Sequence, residues 1–194
     1  MKISLQNIQR VKAMAIFFLP IAILFISTYF FYSGFSPEGR TNNGILLEEP
    51  IDIGLLNLKA QEGPLISKVQ KKWLVLHMLN EGCKESCWSS LYKARQVNTR
   101  LSKDRNRLAR YLITTEKTKL SKKDLEKISS EYPKLMIASM ASLNLPDIVK
   151  ELNQDGVYIL FDPLGNGLMV YTPDLPGGEL LEDLKKLLKN SKIG

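Results

Sequence analysis

The chain has few of the side chains that bind metals or act as nucleophiles. Its 194 residues include two cysteines and one histidine, His77. Zinc sites need four ligands, so two thiols alone would leave such a site incomplete. A Ser-His-Asp triad could use only His77, and no glycine-rich phosphate-binding loop is present. These shortages argue against most enzyme classes and direct attention to the two cysteines.

Acidic residues are missing from the N-terminus. Lys2, Arg10 and Lys12 precede a stretch at 13–32, AMAIFFLPIAILFISTYFFY, that carries no charge. A helix of about 20 apolar residues is long enough to cross a bilayer, and basic residues stay on the cytoplasmic side. We therefore expect an uncleaved anchor in membrane lipid, with the rest of the chain outside the cytoplasm. The alternative is a cleaved signal peptide, whose apolar core is shorter, about 7–15 residues.

Charge beyond this stretch is nearly balanced. The net charge is +7, but residues 36–194 hold 24 bases and 20 acids, an excess of only +4. So small an excess predicts no nucleic-acid partner. We divide the chain into a basic cytoplasmic N-terminus (1–12), a transmembrane anchor (13–32), a tether with a first strand (33–70) and a folded domain (71–194).

Hydrophobic patterning in the domain predicts an α/β fold. Apolar runs at 72–79 and 108–114 indicate buried strands, and helical spacing marks 84–103 between them. This β-α-β unit should be parallel with a right-handed crossover. Two further strands, 156–162 and 168–172, flank a short turn and predict an antiparallel hairpin, followed by a leucine-rich helix. The layout is thioredoxin-like, a central mixed sheet with flanking helices.

The remaining segments carry weaker signals. Residues 45–53, ILLEEPIDI, predict a short strand interrupted at its proline, and residues 59–68, KAQEGPLISK, a loop. Ser121 is typical of a helix N-cap. Residues 134–138 predict a short strand, and the proline in 144–154, NLPDIVKELNQ, indicates another helix start.

Both cysteines lie where the first buried strand ends and a helix begins, in the motif Cys83-x-x-x-Cys87. A helix N-terminus lowers the pKa of a nearby thiol, and residues four apart share a helix face within disulfide range. A cross-link over so short a loop stabilises little. The pair better suits reversible redox chemistry or a soft metal such as Cu(I). We expect Cys83, at the helix start, to be the more exposed and more acidic thiol.

The anchor, the apolar strand, the C-x-x-x-C motif and the late YILFDPLGN hairpin together resemble the Sco/SenC family of cytochrome c oxidase assembly proteins. They also resemble a small group of membrane-anchored bacterial relatives. The resemblance implies a thioredoxin-like fold and a periplasmic domain on the bacterial inner membrane. It further implies that Cys83 and Cys87 deliver Cu(I) to the oxidase or reduce its copper-site cysteines. The implied partner is an oxidase subunit or another assembly factor.

The chain departs from the family at two positions. Trp88 stands where the family usually has proline, and the family's third copper ligand, a histidine, corresponds to a position at or near Gln154. His77 is a metal candidate that we interpret as a core residue. The methionines are candidate soft donors that more often pack in cores: Met78, Met136, Met140 and Met169. A thiol-disulfide oxidoreductase is therefore favoured over a copper carrier. A general envelope oxidoreductase and a non-catalytic binding module are the alternatives.

Overall fold

The structure is a computed structural model that describes residues 5–34, 41–60, 66, 71–79, 82–115, 118, 120–140 and 155–193. It divides into two compact units, Met1–Thr41 and Asn42–Gly194. The first unit contains the helix α1 (Leu5–Tyr32), with Pro20 inside it. Its segment Lys12–Tyr32 has a mean hydropathy of 2.3 and no buried residues, so by length and composition it can span a membrane. A signal sequence near the N-terminus passes the same test of length and composition.

The second unit is built on a seven-stranded sheet. The strand bounds are β1 (Ile45–Asp52), β2 (Leu58–Ala60), β3 (Trp73–Met78), β4 (Leu108–Thr115), β5 (Leu135–Met140), β6 (Tyr158–Phe161) and β7 (Asn166–Tyr171). The spatial order is β1-β7-β6-β3-β4-β5-β2. The predicted parallel pairing of β3 with β4 and the predicted antiparallel β6–β7 hairpin are both confirmed. The central sheet is therefore mixed.

Three helices of this unit cover one face of the sheet: α2 (Glu85–Arg100), α3 (Lys122–Glu131) and α4 (Gly177–Asn190). The predicted cap of α3 is confirmed. Ser121 Oγ accepts a hydrogen bond from the Asp124 N–H at 3.1 Å, and the Asp124 carboxylate accepts one from the Ser121 N–H at 3.2 Å. This reciprocal pair satisfies two backbone donors at the helix start. A 3₁₀ segment, Ser102–Arg107, leads from α2 towards β4.

Side chains of β3 alternate between two cores. Trp73 and Val75 pack with α2 and α4, whereas Leu74 and Leu76 pack on the opposite face against residues from the first two strands and their connection. Successive strand residues point to opposite faces. His77 therefore lies on the face that carries the cysteine helix.

One local prediction was wrong. Lys59 and Ala60 belong to β2, which pairs antiparallel with β5, and not to a loop. A three-residue strand is too short to show a period-two pattern, so only its partner defines it. The strand predicted at 45–53 is confirmed, and its ladder to β7 shifts register between Leu46 and Ile51, around the proline of this edge strand. The helix predicted within 144–154 lies outside the described residues.

Candidate functional site

The cysteine pair lies where the chain passes from β3 into α2. Cys83 and Cys87 form a disulfide with their Cα atoms 5.2 Å apart. Lys84 is the N-cap of α2, so Cys83 comes directly before the cap and Cys87 is the third helical residue. The structure thus brings together the two cysteines that the sequence singled out, at the junction of strand and helix.

The two sulfur-bearing residues differ in exposure. Cys87 is 1% exposed and packs with Leu79, Leu91, Leu112 and Ile128. Cys83 is only half-buried, at the edge of the same cluster. Cys83 is therefore the more accessible residue of the pair. The positive end of the helix dipole also lies here, and it favours a thiolate over a thiol.

An aromatic group borders the pair. Trp88, next to Cys87, is half-buried and packs against the same cluster. The Lys127 ammonium lies 4.0 Å from the centroid of its ring, and the Tyr132 ring lies 6.1 Å away. Trp88 therefore joins α2 to α3 through a cation–π contact with Lys127.

His77 lies in the layer beneath the cysteine helix and is 1% exposed. Neither ring nitrogen has a hydrogen-bond partner among the described residues, and the ring centroid is 5.1 Å from that of Tyr158. Burial, and secondarily the charge of Arg110, lower the pKa of His77 to about 3, so the imidazole is neutral. Two of its neighbours belong to the same cluster as Cys87: Leu79, directly after β3, and Leu112, opposite His77 on β4. The described part of the chain contains no cluster of three His, Cys, Asp or Glu side chains suited to a metal ion.

Gly156 determines how closely the loop before β6 approaches the cysteine helix. Its φ is +91°, and a Cβ placed there would lie 2.7 Å from the Ser86 carbonyl oxygen and 2.8 Å from Ser90 Oγ. Only glycine fits both the backbone conformation and the space. Sequence reasoning missed this role, because an Asp-Gly pair ahead of a strand indicates no more than a turn.

The other candidate donors are placed as follows. Met78 and Met140 are buried in the core on the face away from the cysteines, and Met169 is buried beside Tyr171. Met136 is 41% exposed on β5. Gln154 lies outside the described residues. Packing accounts for the three buried methionines without a metal.

Sequence reasoning also missed the buried carboxylate of Asp183. The Asp183 side chain is 2% exposed, and its carboxylate accepts hydrogen bonds from the Asn43 and Gly44 N–H groups and from the Tyr171 hydroxyl, at 2.9–3.0 Å. In the amphipathic pattern of α4 this acid occupies a position next to the leucine stripe. An acid beside an apolar stripe was the available signal.

The fold is a mixed sheet with a cysteine pair where β3 leads into α2, and an apolar helix precedes it in the chain. These features define a thioredoxin-like protein with a candidate membrane span. The chain belongs to the family described as "Transmembrane-like, thioredoxin-like, C-terminal domain", whose model matches residues 73–191. The match begins at the first residue of β3 and ends directly after α4.

Solved structures of Sco proteins share this fold. Sco1 of Thermus thermophilus is 18% identical, with 78% of this chain and 99% of that chain covered and a TM-score of 0.51. Copper-bound yeast Sco1 is 15% identical, with 79% and 96% covered and a TM-score of 0.52. No curated protein matches in sequence. The predicted thioredoxin-like fold and the resemblance to Sco proteins are confirmed.

Proposed function

We propose that this protein is a membrane-anchored accessory factor in cytochrome c oxidase assembly that performs thiol-disulfide exchange through Cys83 and Cys87. The observation that carries the proposal is the asymmetric pair, with a half-buried Cys83 ahead of α2 and a buried Cys87 inside it. The fold shared with Sco proteins supports the link to the oxidase. Arg10 and Lys12, on the N-terminal side of the apolar segment, support a periplasmic domain on the bacterial inner membrane.

The exchange proceeds in two displacements. In the reduced protein the Cys83 thiolate attacks one sulfur of a substrate disulfide, and the other substrate sulfur leaves as a thiolate that takes up a proton. The Cys87 thiol then loses its proton, and its thiolate attacks Cys83 in the mixed disulfide, releasing the second substrate thiol and closing the Cys83–Cys87 bond. Two electrons pass to the substrate. A dithiol donor returns the pair to the reduced state.

The test uses the full chain in a nonionic detergent, reduced by a dithiol, with a model peptide that contains one disulfide. Cys83→Ser should abolish peptide reduction. Cys87→Ser should accumulate the mixed disulfide through Cys83, seen as a mass increase equal to the peptide. Ser89→Ala, an exposed change in the same helix, is the matched control and should react like the unmodified protein.

Three outcomes would change the assignment. Peptide reduction by Cys83→Ser would reverse the roles of the two cysteines. Exchange with many disulfides, but no mixed disulfide with an oxidase subunit in membranes carrying Cys87→Ser, would favour a general envelope oxidoreductase. Partner binding that survives loss of both cysteines, without any exchange, would favour a binding module.

Handling of Cu(I) as cargo is a second candidate, favoured by the closeness of Cys83 and Cys87 on the fold shared with copper-bound yeast Sco1. Two thiolates of the reduced pair suit a soft ion, and a neutral imidazole is a further donor type. Because His77 is buried, we expect His77→Leu to leave Cu(I) affinity nearly unchanged and Gln154→His to strengthen it. Competition with a chromophoric Cu(I) chelator measures both. Loss of binding in His77→Leu would make His77 a ligand.

A further inference from the structure

A basic cleft lies away from the cysteines, where β3, β4 and β5 begin. Its volume is about 200 Å³, and its polar lining consists of four cations and two amides: Lys72, Arg105, Arg110, Lys134, Asn98 and Asn106. Lys72 directly precedes β3 and Lys134 directly precedes β5, whereas Cys83 and Cys87 follow the other end of β3. Within the described residues, no acidic side chain lines the cleft. This region is therefore separate from the candidate redox site.

Arg110 is the unusual member of this group. It is 4% exposed on β4, and its Nη1 atom is buried without a hydrogen-bond partner in the described part of the chain. Burial, and secondarily the neighbouring charge of Arg95, lower the pKa of Arg110, whereas Tyr132 raises it in part, and no carboxylate among the described residues contributes. Buried cations in proteins are normally paired with an acid. A cation buried next to a second cation is stabilised when an anion binds nearby.

The wall of the cleft is held in place by the fold. The Asn98 side-chain amide donates to the Arg105 carbonyl oxygen at 3.1 Å, which ties the 3₁₀ segment to α2. The Arg107 guanidinium donates to the Leu188 and Ser191 carbonyl oxygens at 2.9 and 2.8 Å, which ties the same segment to the end of α4. The backbone that carries Arg105 is thus preorganised, which reduces the entropy lost on binding.

We propose that this cleft binds a phosphate-type oxyanion. Four positive charges, with no acid among the described residues of the lining, favour a multiply charged anion over a single carboxylate. Guanidinium groups match phosphate oxygens in a two-pronged geometry. The phosphate group has two sources, a soluble phosphate compound or the headgroup of a lipid. This site is independent of the thiol chemistry proposed above.

The test is calorimetric titration of the full chain in nonionic detergent with inorganic phosphate, with chloride at matched ionic strength as the blank. Arg105→Gln and Lys134→Gln alter exposed residues, so the fold should persist, and each should weaken phosphate binding about tenfold. Arg100→Gln removes an exposed cation outside the cleft and should change the affinity less than about twofold. Arg110→Met removes the buried cation and should also weaken phosphate binding, and urea unfolding checks that this variant is folded.

A second arm separates the two sources. The full chain is placed in vesicles of phosphatidylcholine alone or of phosphatidylcholine with phosphatidylglycerol, and phosphate is titrated again. Equal affinity in both identifies a soluble phosphate compound. If the lipid is the source, phosphate binds more weakly in the vesicles that contain phosphatidylglycerol, and the affinity ratio between the two vesicle types becomes smaller in Arg105→Gln. The proposal is overturned if phosphate behaves like chloride, or if Arg100→Gln weakens binding as much as the cleft variants do.

Discussion

Two buried polar groups on the helix-covered face of the sheet have opposite environments. Asp183, on α4, accepts hydrogen bonds from two backbone N–H groups and from the Tyr171 hydroxyl. His77, beneath α2, has no partner for either nitrogen among the described residues. Tyr158 lies between them, stacked on Tyr171 at 5.2 Å and in contact with His77 at 5.1 Å. The rings of Tyr171 and Tyr158 thus form a row between Asp183, which is hydrogen-bonded, and His77, which is not.

The difference indicates which end of the molecule serves stability. Removing a buried group that is hydrogen-bonded leaves its partners unsatisfied. A buried polar group without a hydrogen bond instead destabilises the fold while it is present. Proteins tend to keep such unfavourable groups at functional sites. The α4 end, where Asn43 and Gly44 join the domain, is accordingly structural around Asp183, and the cysteine end gives up stability at His77. The buried Trp73 Nε1 and Tyr158 hydroxyl also have no partner among the described residues.

The largest effect is expected at the structural end. Asp183→Ala leaves two backbone donors and the Tyr171 hydroxyl without an acceptor, so the free energy of unfolding should fall by about 4 kcal/mol. Urea unfolding of the full chain, followed by circular dichroism, measures this. Glu182→Ala, an exposed acid in the same helix, is the control and should change stability by less than about 0.5 kcal/mol. Similar values for both variants would remove the contrast between the two ends.

At the cysteine end the largest effect should come from Gly156. Alanine there combines a positive φ with a 2.7 Å approach to the Ser86 carbonyl oxygen, so Gly156→Ala should destabilise by about 3 kcal/mol. Gly178→Ala is the control, because no atom outside its own helical turn lies within 4 Å of the added Cβ, and it should be neutral or stabilising by up to about 1 kcal/mol. The same unfolding assay compares them. A tolerated Gly156→Ala would mean that the cysteine end can rearrange freely.

His77 should make the free energy of unfolding depend on pH. Its folded-state pKa of about 3 lies below the unfolded value of 6.5, so the unfolded state binds more protons between these values. The stability associated with the neutral ring is complete above pH 6.5 and is lost as the pH falls towards 3, by up to about 1.4 kcal/mol per pH unit. His77→Leu removes this dependence. Relative to the unmodified protein, the variant should therefore gain about 2 kcal/mol between pH 7 and pH 5.

The two pH series share all their carboxylates, and His77 is the only histidine, so their difference isolates this ring. Urea unfolding at each pH supplies the values. Parallel curves for the two proteins would show that the imidazole is bonded or solvated after all.

The smallest effect is expected from the cation–π contact beside the disulfide. Lys127→Gln removes the ammonium 4.0 Å from the Trp88 ring, so it should destabilise by about 0.5 kcal/mol. Lys123→Gln, exposed on the same helix, removes an equal charge without that contact. Thermal unfolding distinguishes them, and identical midpoints would show that Trp88 is held by apolar packing alone.

The sequence by itself determined the local elements. Apolar runs identified β3 and β4, leucine spacing identified α4, and Ser121 identified the start of α3. It also placed Cys83 and Cys87 at a strand-to-helix junction. These features depend on residues within a turn or a strand length of each other, so the order of side chains is enough to define them.

Tertiary structure alone decided the environments. Because side chains alternate along β3, those of His77 and Leu76 point to opposite faces of the sheet. Only the packing of α2 on one face decides which of them lies under the cysteines. The bond from the Asn43 N–H to Asp183 spans 140 residues of sequence. The burial of Arg110 and the pairing of β2 likewise depend on distant segments. Burial and hydrogen bonding are properties of the neighbours in space, and no short stretch of sequence specifies them.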